Sequence, residues 1–340
     1  MTITTGHCHR NEQSENLLMK SGFHDDISVS WLADGKRLSM RHGPIDLVLE
    51  AETDVDGDPI HVKKAYKQAA QAFKCVLTDL VTELDTLRKP LTTPAAQFSG
   101  EVASNMQRAT ASVAGHLFAT PMIAVAGAVA EHILEAMTSG NQLKRAYVNN
   151  GGDIALHLTK DAIFDIGICA DIKTGSLASK TRIHADDNIG GIATSGWQGR
   201  SHSLGIADAV TVLAQSAATA DAAATLIANS INLPDHPRIK RVAANELSLD
   251  SDLGQRLVTV DVGALSFDDK ERALERGKTL AHAMFERGDI CAAHASLQGN
   301  SFSIGAHATH DQLPRSYSQP TAVGYQTDNI KTIIEDMSCA

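Results

Sequence analysis

The sequence predicts an α+β fold, with mixed sheets and packed helices in two intimately associated lobes. Three observations lead there. Residues 64–89 repeat their apolar side chains every three or four positions, as an amphipathic helix does. Two more stretches, 122–137 and 217–230, are alanine-rich and carry little bulk, as closely packed helices do. Short runs of Val, Ile and Thr with glycine-rich corners between them have the texture of strands. At 340 residues the chain is longer than the roughly 250–300 at which one core stops growing. No linker of biased composition divides it, so the lobes share an interface.

In chain order, residues 1–28 are polar and unpatterned and are expected to form a flexible arm. The domain proper spans 29–308, and a polar tail follows over 309–340. Residues 45–51 alternate as a strand, and 54–59 form an Asp- and Gly-rich turn. Phe73, Val76, Leu77, Leu80, Leu84 and Leu87 line one face of the long helix, which Pro90 stops. A loop over 92–101 leads to a second helical region from about Asn105. Pro121 interrupts it, and the helix restarts over 122–137, where a first-turn proline costs no hydrogen bond. Strands are expected at 145–148, 154–158, 163–169, 181–184, 191–194 and 208–214. A helix over 217–230, a strand over 257–262 and a helix from the Ser266 cap through Arg287 complete the domain.

Composition excludes several functions. Lys and Arg number 30 against 40 Asp and Glu, a net charge of −10, so no basic footprint for nucleic acid exists. The best apolar run, 123–130, is too short to span a membrane. No basic end and apolar block open the chain as in a secretory signal. The 5 cysteines are scattered without a C-x-x-C pair, which points to a reduced, cytoplasmic setting with Cys75 and Cys169 as small core residues.

Four segments carry residue types suited to chemistry. Asn150-Gly151-Gly152-Asp153 frees the backbone to approach a ligand, and the same residues suit an ordinary hairpin turn. Thr194, Ser195 and Gly196 at a strand end can hold phosphate oxygens, with His202 nearby as a base. Asp221 and Thr225 stand at i and i+4, on one helix face, and offer hard oxygen ligands suited to Mg2+. They also fit a plain alanine-rich core helix. Met122 and Gly127 mark a small-residue helix start that a planar ring could lie against, or through which a buried helix packs.

In this order, Gly-Gly-Asp, Ala-Thr-Ser-Gly and Asp-Ala-x-Ala-Thr, the motifs resemble those of the ApbE-type FAD:protein FMN transferases. An uncharacterised cytoplasmic branch is more similar still, with its Asn-Gly-Gly-Asp-Ile turn and Gly-Ile-Ala-Thr-Ser-Gly strand. Its Leu-Gly-x-Ala-Asp-Ala-Val stretch falls here on residues 204–210. The resemblance covers roughly residues 30–305 and implies an ApbE-like fold. It implies Mg2+ on Asp221 and Thr225 with a carbonyl near Val125, and FAD along Met122, Gly127, Gly151, Gly152, Asp153, Thr194, Ser195 and Gly196. The implied reaction places FMN on a threonine hydroxyl of a protein acceptor and releases AMP. The chain departs from the pattern at Ala126 and Ile206, where lysines are usual. It also lacks the family's His-Ile-Ile-Asp-Pro stretch, leaving His202 and then Asp208 as candidate bases. Two alternatives stand beside transfer: a flavin- or ring-binding accessory protein, and an enzyme of a small ring-acid pathway reusing the pocket.

Overall fold

The computed structural model describes residues 27–53, 59–171 and 176–308, without the side chains of 169–179 and 308. All but the last two residues of the expected arm, all of the tail, most of the 54–59 turn and the Cys169 side chain therefore lie outside the described residues. Alternation of buried and half-buried residues makes β3 (Ile45–Glu52), which follows β1 (Ser28–Trp31) and β2 (Leu38–His42). The long amphipathic stretch is α1 (Ile60–Leu87), beginning four residues before its first regular repeat. Tyr66 fastens it to the sheet: its hydroxyl accepts from the Ala51 amide at 3.1 Å and donates to the Lys36 carbonyl at 2.7 Å.

The second helix, α2 (Glu101–Ala114), starts earlier than its sequence pattern indicates. The cause is tertiary, because the Glu83 carboxylate on α1 accepts from the Ser99 and Gly100 amides at 2.8 and 3.2 Å. A 3-10 turn at Pro121–Ala124 then opens α3 (Val125–Thr138). Next come β4 (Arg145–Asn150), β5 (Asp153–Leu158), β6 (Ile163–Asp171), β7 (Ser176–His184), β8 (Gly191–Ser195) and β9 (Ala209–Ala214). The remainder is α4 (Ala217–Ser230), β10 (Ile239–Ala243), the single turn α5 (Ala244–Leu247), β11 (Leu257–Val262), α6 (Phe267–Glu286), β12 (Ala292–Leu297) and β13 (Asn300–Ile304).

Nine strands form one sheet in the order β1-β2-β3-β4-β5-β8-β9-β12-β13, and each neighbouring pair is antiparallel. Both lobes expected from the sequence thus share one sheet. Its helix-bearing face holds the main core, to which Leu47, Val148, Ala155, Ala193 and Val212 contribute. The opposite face carries a smaller cluster of Leu156, Ile183, Ile189, Ile192, Leu213 and Ala292, to which the β6–β7 hairpin adds Ile183, Phe164 and Ile166. Cys75 corrects the expectation of a buried free thiol, being half-buried and disulfide-bonded. No described helix is long and apolar enough to cross a membrane.

Candidate functional site

The glycine turn is a hairpin and a site edge at once. β4 and β5 pair up to Asn150 and Asp153, leaving Gly151 and Gly152 as the two-residue loop. Both have positive φ, 66° and 117°, a conformation that twists with the strands and excludes most side chains. The Asn149 side chain accepts from the Gly152 amide at 2.8 Å, which holds the turn in shape. A Cβ at Gly152 would meet nothing within 4 Å, so the turn has open space beside it.

On the helix face of this hairpin, α3 and α4 meet with almost no side chain between them. A Cβ on Gly127 would stand 2.2 Å from the Ala217 carbonyl oxygen, and one on Gly191 would stand 2.2 Å from the Ala217 amide. That closeness places Asp221 of α4 against the free amides at the start of α3. Its Oδ2 accepts from the Gly127 amide at 3.0 Å, and the Ala126 amide also donates to the carboxylate. Asp221 thereby does for α3 what a capping residue does for its own helix. The Asn150 side chain donates to the Ala126 carbonyl at 3.1 Å, tying β4 to the same helix start. At α4, the Ser216 hydroxyl accepts from the Thr219 amide, and Glu131 of α3 accepts from the Ala218 amide.

Burial pushes the Asp221 carboxyl well above the usual carboxylate range, and the neighbouring charge of Asp153 adds to the rise against the two amide bonds. Asp153 is pushed up to about 7, again chiefly by burial, while the Thr194 amide at 3.3 Å and the charge of Arg200 favour its ionised form. Both side chains keep some solvent contact. A cation bound beside these two carboxylates would offset the cost of ionising them. Thr225, one turn below Asp221, is half-buried, and its hydroxyl has no hydrogen-bond partner among the described residues. No group of three or more His, Cys, Asp or Glu side chains converges among the described residues, so a transition-metal cage is not built here. The donors are hard oxygens that fit Mg2+.

The structure therefore gathers Gly127, Gly151, Gly152, Asp153, Asp221 and the Thr194 amide, with Thr225 next to them on α4. Ser195 shares the helix face of β8 with Ala193, and Met122 sits half-buried in the 3-10 turn before α3. The Thr194 hydroxyl points to the opposite face, 2.9 Å from that of Thr211. Asp208 has both oxygens engaged, one by the Trp197 ring N–H at 3.3 Å and one by the Gln298 amide at 2.5 Å. His202 is exposed and has no hydrogen bond or ion pair among the described residues. Sequence reasoning missed the struts that fix the approach to α3. Thr120 donates to Asp252 at 2.5 Å, and the Arg256 guanidinium lies 3.3 Å from the centre of the Phe118 ring. It also missed the polar row on the far face, where Thr194, Thr211, His294 and Ser303 stand in register across four strands. These contacts join residues far apart in the chain, and no local spacing announces them. A separate cleft of about 340 Å³ between α2 and α3 contains none of the predicted site residues.

The arrangement is that of an ApbE-like protein: an α+β domain with a glycine turn facing an Asp-Ala-Ala-Ala-Thr helix. The model of the family described as AbpE bacteria matches residues 29–303, and the chain belongs to that family. Among curated proteins it is similar to UPF0280 proteins of methanogens. One from Methanocaldococcus jannaschii is 41% identical over 111 residues, which are 32% of this chain and 44% of that protein. One from Methanosarcina acetivorans is 32% identical over 186 residues, 52% of this chain and 67% of that protein. The chain spans less than half the length of the first curated relatives it matches, 44% to 47%. Among solved structures it is similar to the flavin transferase ApbE of Vibrio cholerae, at 12% identity and TM-score 0.44, covering 83% of this chain and 98% of that one. The ApbE protein of Thermotoga maritima aligns at 11% identity and TM-score 0.43, covering 84% and 97%.

Proposed function

We propose that this chain is a Mg2+-dependent flavin transferase that uses FAD and delivers FMN to a threonine hydroxyl of a protein acceptor. One observation carries the reading. Asp153 and Asp221 are both desolvated by burial beneath an open glycine turn, and the charge of Asp153 adds to the rise that burial gives Asp221, so a cation there would offset the cost of ionising them. Asp221 and Thr225, with a backbone carbonyl from the start of α3, would hold Mg2+. Bound there, the ion would neutralise charge on the FAD pyrophosphate as a Lewis acid.

The chain's own groups do the rest. The Gly127 and Ala126 amides keep the Asp221 carboxylate aimed away from its own helix. The Gly151-Gly152 turn lets a ligand reach the backbone, and Ser195 would line the opposite wall, whereas Gly196 is buried with its open side packed on the backbone of Ala207 and Asp208. In the transfer, the acceptor oxygen forms a bond to the flavin-side phosphorus, the bond to the adenylate oxygen breaks, and AMP leaves. His202, on the loop beyond Gly196 and without a hydrogen bond or ion pair among the described residues, takes the hydroxyl proton in this reading. Asp208, engaged by Trp197 and Gln298, holds the ends of β8 and β12 together instead.

The exposure of His202 favours a second reading, a protein that holds a flavin without transferring it. One experiment separates the two. Protein, FAD and Mg2+ are mixed with a threonine-bearing peptide, and AMP release is followed. Transfer predicts stoichiometric AMP and flavinylated peptide, and His202→Ala slows it by about 10²–10⁴-fold with FAD affinity unchanged. Tight FAD binding without AMP establishes the second reading instead.

A further inference from the structure

A site with two carboxylates, on a chain of net charge −10, repels phosphate unless a cation stands by. The lysine positions of the resembling family cannot supply one. Ala126 occupies the first, and Ile206 at the second is fully buried. The turn supplies another. The Arg200 guanidinium lies against Gly151: its Nη2 is 2.6 Å, and its Cζ 3.1 Å, from where a Cβ on that glycine would be. Any side chain at Gly151 would evict it. Arg200 comes from the loop after the Thr194-Ser195-Gly196 strand end, so its position joins the two walls of the site. Its charge also reaches Asp153, whose ionised form it favours. The side chain is exposed and has no ion pair among the described residues, so its planar donors remain available.

We propose that Arg200, seated on the bare backbone of Gly151, is the residue that selects a diphosphate-bearing ligand for this site. A guanidinium presents paired N–H donors that match phosphate oxygens two at a time, which a lysine ammonium cannot do. The proposal rests on the FAD reading above and adds the group that distinguishes FAD from a flavin without a diphosphate.

The test is calorimetric titration in the presence of Mg2+ with FAD, ADP and riboflavin, on the parent, Arg200→Gln and Arg200→Lys. Circular dichroism checks that each variant is folded, and a surface arginine leaves little reason for it not to be. Arg200→Gln should weaken FAD and ADP by about tenfold or more, the scale of a charge-assisted pair, and leave riboflavin unchanged. Arg200→Lys should recover only part of the loss. Equal ADP and FAD affinities in parent and Arg200→Gln overturn the role of Arg200 while leaving the FAD reading intact. An equal loss for riboflavin overturns it too, since the arginine would then only shape the turn. A parent that binds neither FAD nor ADP overturns both.

Discussion

Asp221 is expensive to keep. An aspartate in this position loses hydration, faces a second carboxylate and recovers only the amides of Gly127 and Ala126. Its replacement by asparagine preserves an acceptor for those amides and removes the charge. Asp221→Asn should therefore raise the thermal midpoint of the metal-free protein at pH 7.5. It should also abolish the further rise that Mg2+ gives the parent, a rise worth about 2.7 kcal/mol at one hundred times Kd. Differential scanning fluorimetry with and without Mg2+ reads both. An unchanged Mg2+ response in the variant would show that Asp221 does not hold the ion. The helical placement of Asp221, with Thr225 one turn on, was legible in the sequence, since an i, i+4 pair is a local pattern. The place of Arg200 was not, because it lies against a glycine 49 positions earlier, and only the fold brings the two together.

The helices and strands were legible in proportion to their local signal. α1 shows its apolar stripe and α6 its Ser266 cap, which accepts from the Asp269 amide. β12 is Ala-Ala-His-Ala-Ser-Leu and fully buried, yet it has no β-branched residue to reveal it. Its strand state is imposed by pairing with β9 and β13. β1, β2, β10 and β13 went unread because each is only four or five residues long, too short for an alternation to stand out, and β1 and β13 each spend two positions on serine. The packing of α3 on α4 makes a sharper statement. Gly127→Ala puts a methyl 2.2 Å from the Ala217 carbonyl oxygen and 2.9 Å from the Ala218 Cα, so a helix must move. Overpacking of this kind costs about 1–3 kcal/mol, to be read from urea unfolding. A parent-like midpoint would show that the two helices are not in backbone contact.

Across the whole molecule, the raised carboxyls set a direction for stability against pH. Asp153 rises from 3.8 to about 7 on folding. Between those values the folded chain binds more protons than the unfolded one, so stability falls as pH rises through that window. Above about 7 the penalty is complete, and near 4 it is gone. In metal-free protein, the midpoint difference between parent and Asp153→Asn should therefore shrink steadily from pH 7.5 to pH 5. Calorimetry across that range checks it, and a difference independent of pH would mean that Asp153 is an ordinary exposed carboxylate.

The same scale shows what the sheet's weakest join means. β5 and β8 are paired through only Ile154 with Ile192 and Ala155 with Gly191, whereas β4 and β5 pair along six positions. Asp153 stands on one side of that join, and Thr194 and α4 stand on the other. A molecule gripped by the glycine turn and by α4 at once would stitch the sheet where its own ladder is shortest. Occupancy would then set how readily the domain's two halves breathe apart, and the empty protein would be the looser of the two.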